Sequence, residues 1–206
     1  FDRAEPQPTP LASYVPSDPH AEGRPVYWSD LVTRVDAEFQ TLEDTFGHRM
    51  AWTVTGSQSG YNAPRRLLLD HVEQRGQPLF AETVGPVISP MGAIESVLSN
   101  TADVAPVDGF FHLLLKKYAP EIAAQIRILA RTPVAPMPLL VASPNVAPDI
   151  VKRLQAALCN AHNDPQSARL MSELCIETFV EIDPADYAVG ERWAAKAQAA
   201  NYVVIA

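Results

Sequence analysis

The chain has 206 residues, and its 47% hydrophobic and 19% charged content is typical of a folded globular protein rather than a disordered one. A formal net charge of −8 disfavours nucleic acid and anionic membranes as partners, because binding either one requires a basic face that neutralises phosphates. No run of about 18 apolar residues occurs, so we expect no direct insertion into a membrane.

The first segment of the chain is rich in proline and has no usable period. Five of the 19 prolines precede Gly23, so residues 1–25 are predicted to form an extended arm or loop. The chain opens at Phe1 without a charged-then-apolar leader, and we therefore expect a signal peptide to be either absent or already removed.

Two short elements are predicted after this arm. Residues 26–35 mix β-branched and aromatic residues with polar ones, which predicts a strand with one polar side. Residues 36–46 predict a turn and a short helix, in which Thr41 is the N-cap and Asp44 completes a capping box before Gly47 ends the helix.

The stretch Met50–Leu69 predicts a buried strand, a turn rich in glycine and hydroxyl groups, and a helix. The first turn of a helix has N–H groups without intrahelical partners and the positive end of the macrodipole, so it stabilises an oxyanion. Ser57 and Ser59 add hydroxyl donors, and Gly60 keeps side chains away from the ligand. The simpler alternative is that one serine only caps the helix. No P-loop lysine follows, which argues against NTP hydrolysis.

The rest of the sequence alternates short apolar runs with amphipathic segments, which is typical of a parallel sheet covered by helices. The predicted strands cover residues 80–87, 102–107, 127–130 and 179–182, and the predicted helices cover residues 89–98, 110–118, 148–162, 164–173 and 184–200. In such sheets the ligand lies beyond the carboxyl ends of the strands, where the serine-rich turn and Asp108 both fall. Asp108 suits the simple role of a helix N-cap equally well.

Other reactive residues do not form recognisable sites. Cys159 and Cys175 lack the spacing of a metal site, and they either form one disulfide or remain two buried thiols. No serine is centred in a Gly-x-Ser-x-Gly elbow and no His/Asp partner set is evident. We therefore expect neither a metal, a cofactor nor an enzymatic activity.

Five segments follow one another in a fixed order: Gly23–Arg34, Leu42–Asp44, Gly56–Tyr61, Ala102–Asp108 and Arg127–Pro136. Together they resemble the periplasmic substrate-binding proteins of the phosphate, phosphite and phosphonate ABC-transporter family. The likeness extends over residues 23–157 and implies an α/β fold of two lobes joined by crossover strands, which close on the ligand.

The resemblance also assigns roles to individual residues. Tyr27 is expected to face the ligand cleft from a crossover strand, and Asp108 is expected to line the same cleft. A carboxylate beside a phosphorus oxyacid accepts a hydrogen bond only from a protonated oxygen, which disfavours a sulfate-like anion. Tyr61 either belongs to the site or packs under the helix. The residues expected to hold the oxyanion are Ser57, Gln58, Ser59 and Gly60.

Three positions depart from the pattern of the family. Pro90 stands where phosphonate-binding members carry a histidine, and Phe110 and Met137 replace two acidic residues. By resemblance those acids serve an amino-substituted phosphonate, so we do not expect that ligand to be preferred.

The resemblance divides the chain into an arm (residues 1–25), part of lobe 1 with the crossover strands (26–40 and 134–206) and lobe 2 with the anion-binding turn (41–133). The first lobe is therefore expected to be incomplete. The implied function is capture of a small phosphorus oxyanion in the interlobe cleft, in the periplasm or another extracytoplasmic space, for an ABC-transporter permease. The alternative is a ligand-sensing domain of the same fold coupled to a signalling partner.

Overall fold

The structure is a computed structural model that describes residues 6–205. Its strands are β1 (Thr9–Pro16), β2 (Val26–Tyr27), β3 (Ser29–Arg34), β4 (Arg49–Ala51), β5 (Glu82–Val84), β6 (Ala105–Asp108), β7 (Ile126–Arg131), β8 (Ala135–Pro136), β9 (Leu139–Ala142) and β10 (Ile176–Val180). Its α-helices are α1 (Ala63–Arg75), α2 (Pro90–Leu98), α3 (Gly109–Tyr118), α4 (Pro120–Ala123), α5 (Pro148–Cys159), α6 (Pro165–Glu173) and α7 (Ala188–Ala199). None of the helices in residues 6–205 is both long and apolar enough to span a bilayer.

The chain divides into two compact units, and each is described by itself. Unit 1 comprises the residues up to Tyr27 together with Pro136–Ala188, and unit 2 comprises Trp28–Ala135 and the residues from Val189 onward. Residues 28–40 and 189–205 thus lie in unit 2, whereas the resemblance assigns them to lobe 1. The assignment of these segments to lobe 1 therefore stays a prediction.

Unit 1 contains an antiparallel sheet in the order β10-β1-β9. Residues 9–16 are therefore a paired central strand and not a free arm or loop, while residues 1–5 of the predicted arm lie outside the described residues. The prolines that suggested a loop are accommodated because the register shifts beside Pro10 and Pro16, and irregular positions tolerate a missing N–H.

The main sheet of unit 2 has the order β6-β3-β7, and both of its pairings are antiparallel. The prediction of a parallel sheet is wrong here, because apolar periodicity reports which residues are buried and not the direction of the neighbouring strand. Parallel pairing joins β4 to β5, and Met50 also bridges Val104 in parallel. The predicted strand 26–35 breaks at Trp28, and β3 is buried from Ser29 to Thr33 rather than polar on one side.

Helix starts follow their capping residues as predicted. Ser89 Oγ accepts a hydrogen bond from Gly92 N–H at 3.0 Å at the start of α2. Thr41 and Asp44 form the reciprocal capping box, although the helix is only the single 3₁₀ turn Glu43–Thr45. These signals are local in sequence, which is why they predict correctly.

The core of unit 2 packs β3 and β4 against α1. Leu31, Met50 and Leu68 are completely buried in it, and Tyr202 and Ile205 bring the late part of the chain into the same cluster. The cysteines lie elsewhere, in unit 1, and both are free thiols, so the disulfide alternative is not realised. Among the described residues no group of His, Cys, Asp and Glu could hold a metal ion.

Candidate functional site

The turn before α1 begins at Ser57, whose backbone is extended. Ser57 Oγ accepts a hydrogen bond from Gly60 N–H at 2.9 Å, so this serine caps the helix as the simpler alternative expected. Asn62 N–H donates to the Ser57 carbonyl at 3.0 Å, which makes Gln58–Asn62 a π-helical turn. Such wide turns are frequent at functional sites.

Gly60 is required by a close approach between the turn and the preceding strand. A Cβ at this position would lie 1.8 Å from Thr53 Oγ1. Thr53 N–H also donates to the Gly60 carbonyl at 3.3 Å. Only glycine therefore lets the end of the strand lie against the start of the helix.

Unit 2 holds a cavity of about 150 Å³ in front of this turn. Its lining has a polar part from the turn and β6 and an apolar part from the loop before α2 and neighbouring residues. The polar side chains are Thr53, Ser57, Ser59 and Asp108, and the apolar ones are Val54, Ile88, Pro90 and Pro106, with Gly60 completing the lining.

Asp108 reaches the cavity because β6 ends there. Its Oδ1 accepts a hydrogen bond from Phe111 N–H at 3.0 Å as the cap of α3, and its side chain also hydrogen-bonds that of Ser59. Ser29, its register partner on β3, donates from Oγ to the Ser59 carbonyl at 2.6 Å. Strand pairing thus fixes the carboxylate beside the helix start.

The pKa of the Asp108 carboxyl is raised above its ordinary value. Burial is the largest cause and outweighs the hydrogen bonds from Phe111 N–H and Ser59, and the negative charge of Asp30 adds to it. A carboxyl with a raised pKa shares a proton with an acidic ligand more readily than a carboxyl with an ordinary pKa does.

Asp30 lies in β3 and is 2% exposed. Its two oxygens accept hydrogen bonds from Trp28 Nε1 (3.0 Å) and Arg131 Nε (3.0 Å) and contact His112 Nδ1 (2.7 Å). Burial opposes its ionisation, but His112 and Arg131 together lower the pKa of Asp30. The ring of Trp28, which donates to Asp30, also packs against Gly109. A Cβ at Gly109 would lie 2.7 Å from Trp28 Nε1, so no side chain fits there.

Thr53 is a second polar feature of the cavity. Its side chain is 4% exposed, and its Oγ1 has no hydrogen-bond partner among the described residues. A buried hydroxyl without a partner is costly, so its presence beside the cavity is consistent with a ligand-binding role.

The structure brings four of the seven predicted site residues together around the cavity: Ser57, Ser59, Gly60 and Asp108. Gln58 instead accepts a hydrogen bond from Asn62 Nδ2 at 2.7 Å. Tyr61 is a core residue whose hydroxyl donates to the Val203 carbonyl at 3.3 Å. For Gln58 and Tyr61 ligand contact stays a prediction without support from the geometry.

Tyr27, the seventh residue, lies in unit 1 at the end of β2 and is buried. Its contact with a ligand also stays a prediction. Sequence reasoning missed Thr53, Val54 and Ile88 as lining residues. Thr53 and Val54 could have been found because they directly precede the predicted turn, whereas Ile88 carries no comparable signal.

A family model described as the periplasmic substrate-binding protein of phosphonate ABC transporters matches residues 3–187 of the chain. The chain belongs to this phosphonate-binding family. The resemblance stated from five segments is confirmed, and so is the expectation that the chain is not an enzyme, because the family is a solute-binding component of transport. Comparison with curated proteins finds no significant match.

Solved structures of periplasmic binding proteins share the α/β fold of this phosphonate-binding family member. A binding protein component of an ABC phosphonate transporter from Pseudomonas aeruginosa matches with a TM-score of 0.74 and 21% identity, over 93% of this chain and 63% of that one. A Prochlorococcus marinus protein in complex with methylphosphonate matches with a TM-score of 0.71 and 16% identity, over 92% of this chain and 72% of that one. A Xanthomonas citri protein bound to chloride ion matches with a TM-score of 0.65 and 20% identity, over 95% of this chain and 72% of that one.

Proposed function

We propose that this chain is the solute-binding component of an ABC importer and captures a small phosphorus oxyanion, such as phosphate, phosphite or a phosphonate. The observation that carries the proposal is the meeting of a serine-rich helix start and a partly buried carboxylate at one cavity. The helix start offers hydrogen-bond donors and positive charge to the anion. The cavity of about 150 Å³ suits a small ligand.

Asp108 gives the site its selectivity for protonated anions. Its carboxylate repels a fully ionised ligand, but it accepts a hydrogen bond from an oxygen that keeps its proton. Sulfate has no proton to offer at neutral pH, so it should bind weakest.

Membership of the family supports the importer role. A periplasmic substrate-binding protein acts outside the cytoplasm and delivers its ligand to a membrane permease. The solved Prochlorococcus marinus relative holds methylphosphonate, which supports a ligand of this class.

Calorimetric titration with phosphate, phosphite, methylphosphonate and sulfate tests the proposal. Ser59→Ala should weaken binding of the phosphorus oxyanions about tenfold or more, because it removes a hydrogen bond to a charged group. Ser99→Ala is the matched control, since Ser99 lies in the same unit and its hydroxyl hydrogen-bonds Ser96 and Thr101 away from the cavity lining. The proposal is overturned if no phosphorus oxyanion binds, or if sulfate binds best.

A further inference from the structure

Ile88 has an unusual backbone conformation. Its φ is +68°, and Ser89 N–H donates to the Val87 carbonyl at 2.8 Å, so Ile88 is the central residue of a tight three-residue turn. For a β-branched residue this left-handed conformation is a genuine outlier and carries strain. Glycine would adopt it without that strain.

Burial of the side chain does not offset this strain. Ile88 is 70% exposed, the highest value among the large hydrophobic residues that the structure describes. A strained residue whose side chain gains little from folding points to a functional constraint. The turn is also well anchored, because Val87 N–H donates to the Trp52 carbonyl at 3.0 Å and Ser89 caps α2.

Ile88 is one of the residues that line the cavity holding Ser59 and Asp108. Val54, which is 38% exposed, and Pro90 add to the same apolar lining. Phosphate presents oxygen in every direction, so an apolar wall would leave some of its oxygens without hydrogen bonds. A ligand with a carbon substituent on phosphorus presents one apolar group that such a wall can cover.

We propose that Ile88 is a specificity-determining residue whose side chain packs against a compact apolar substituent on the phosphorus atom. This role rests on the proposed function. The serine-rich turn and Asp108 bind the oxygens of the ligand, and Ile88 favours ligands that carry carbon in place of hydrogen or oxygen.

Titration of the full chain with methylphosphonate and phosphite tests this role, because the two anions differ by one CH₂ unit at phosphorus. Wild type should prefer methylphosphonate, and Ile88→Gly should reduce that preference about fourfold, which corresponds to one buried CH₂. Ile88→Asn should reduce it similarly, since asparagine tolerates the backbone conformation but is polar.

Stability separates this role from a merely structural one. Ile88→Gly should raise Tm by about 2–4 °C in the absence of ligand, because strain is relieved and little burial is lost. Asn201→Gly is the matched control, since Asn201 has φ +56° in the same unit and does not line the cavity. This control should leave the preference between the two anions unchanged.

The outcomes distinguish the two proposals. If wild type binds neither anion, the proposed function and the role of Ile88 both fail. If wild type binds both without preferring methylphosphonate, or if Ile88→Gly keeps the wild-type preference, only the role of Ile88 is overturned.

Discussion

The two units differ in the size of their buried apolar clusters. The core cluster of unit 2 includes the completely buried Leu31, Met50 and Leu68, whereas the core cluster of unit 1 consists of Leu11, Ala142 and Val151 at 6–9% exposure. Large apolar side chains are exposed in both units, so the exposed surface does not distinguish them. The candidate site is therefore built on the unit with the larger buried core, where rigid elements can hold its geometry.

A matched pair of core truncations should show this difference most strongly. Leu31→Ala in unit 2 should cost about 3–5 kcal/mol of unfolding free energy, because the surrounding side chains cannot fill the cavity that it leaves. Leu11→Ala in unit 1 should cost about half as much, since its surroundings are looser. Urea unfolding measures both values, and equal losses would contradict the comparison.

The buried charge cluster of unit 2 gives the next largest effect. Asp30→Asn should cost about 3 kcal/mol at neutral pH, because it removes the buried carboxylate that contacts the His112 ring and pairs with the partly exposed Arg131. The pKa of Asp30 is lowered in the folded state, so its stabilisation is present above the unfolded pKa and is lost as the pH falls through the folded pKa.

Thermal unfolding between pH 3 and pH 7 should therefore show the gap between wild type and Asp30→Asn closing in acid. Asp36→Asn is the control, because Asp36 pairs with Arg34 at the surface and should change stability by less than about 1 kcal/mol. A gap that stays constant with pH would argue against an ionised Asp30.

Native-state hydrogen exchange should report the same contrast without mutation. Backbone amides of β1, β9 and β10 should exchange about a hundredfold faster than those of β3, β6 and β7, since the buried apolar cluster of unit 1 is smaller than those of unit 2. Mass spectrometry of peptic peptides measures this, and uniform protection across both sheets would show that the units open together.

Asp108→Asn should produce the smallest change in stability, and it should stabilise the protein where the preceding substitutions destabilise it. Its pKa is raised by burial, so its contribution to stability is complete below the unfolded pKa and is lost as the pH rises through the folded pKa. Asparagine is also a good N-cap, and it has no charge that burial would oppose. Asp108→Asn should therefore raise the free energy of unfolding by about 1 kcal/mol at neutral pH.

The gain from Asp108→Asn should shrink as the pH falls toward 4, while binding of a protonated phosphorus oxyanion becomes weaker than in wild type. Paired measurements of Tm and affinity across that range check both effects. A variant that gains stability equally at every pH would show that the carboxyl is not titrating.

What the sequence predicted well is local. The caps at Ser89 and Asp108 follow from hydrogen bonds that span three residues, so the starts of α2 and α3 were predictable. The turn before α1 was predictable for the same reason, and it carries three of the four predicted residues that meet at the cavity.

What the sequence did not predict depends on distant pairing. Two of the three partners of Asp30, His112 and Arg131, lie 82 and 101 residues away, so no local pattern identifies it as a buried charge. Gln58 and Tyr61 lie in the right motif, but the π-helical turn places Tyr61 in the core. Motif membership therefore predicted which segment forms the site. The geometry of the turn decides which side chains of that segment reach the cavity, and strand pairing brings Asp108 beside them.

The late part of the chain has a consequence for biosynthesis. Tyr202 and Ile205 belong to the core cluster of unit 2, although most of that unit is made before Ala135. A domain folds as a unit, so the core of unit 2 is completed only by residues that are synthesised after the whole of the intervening segment Pro136–Ala188.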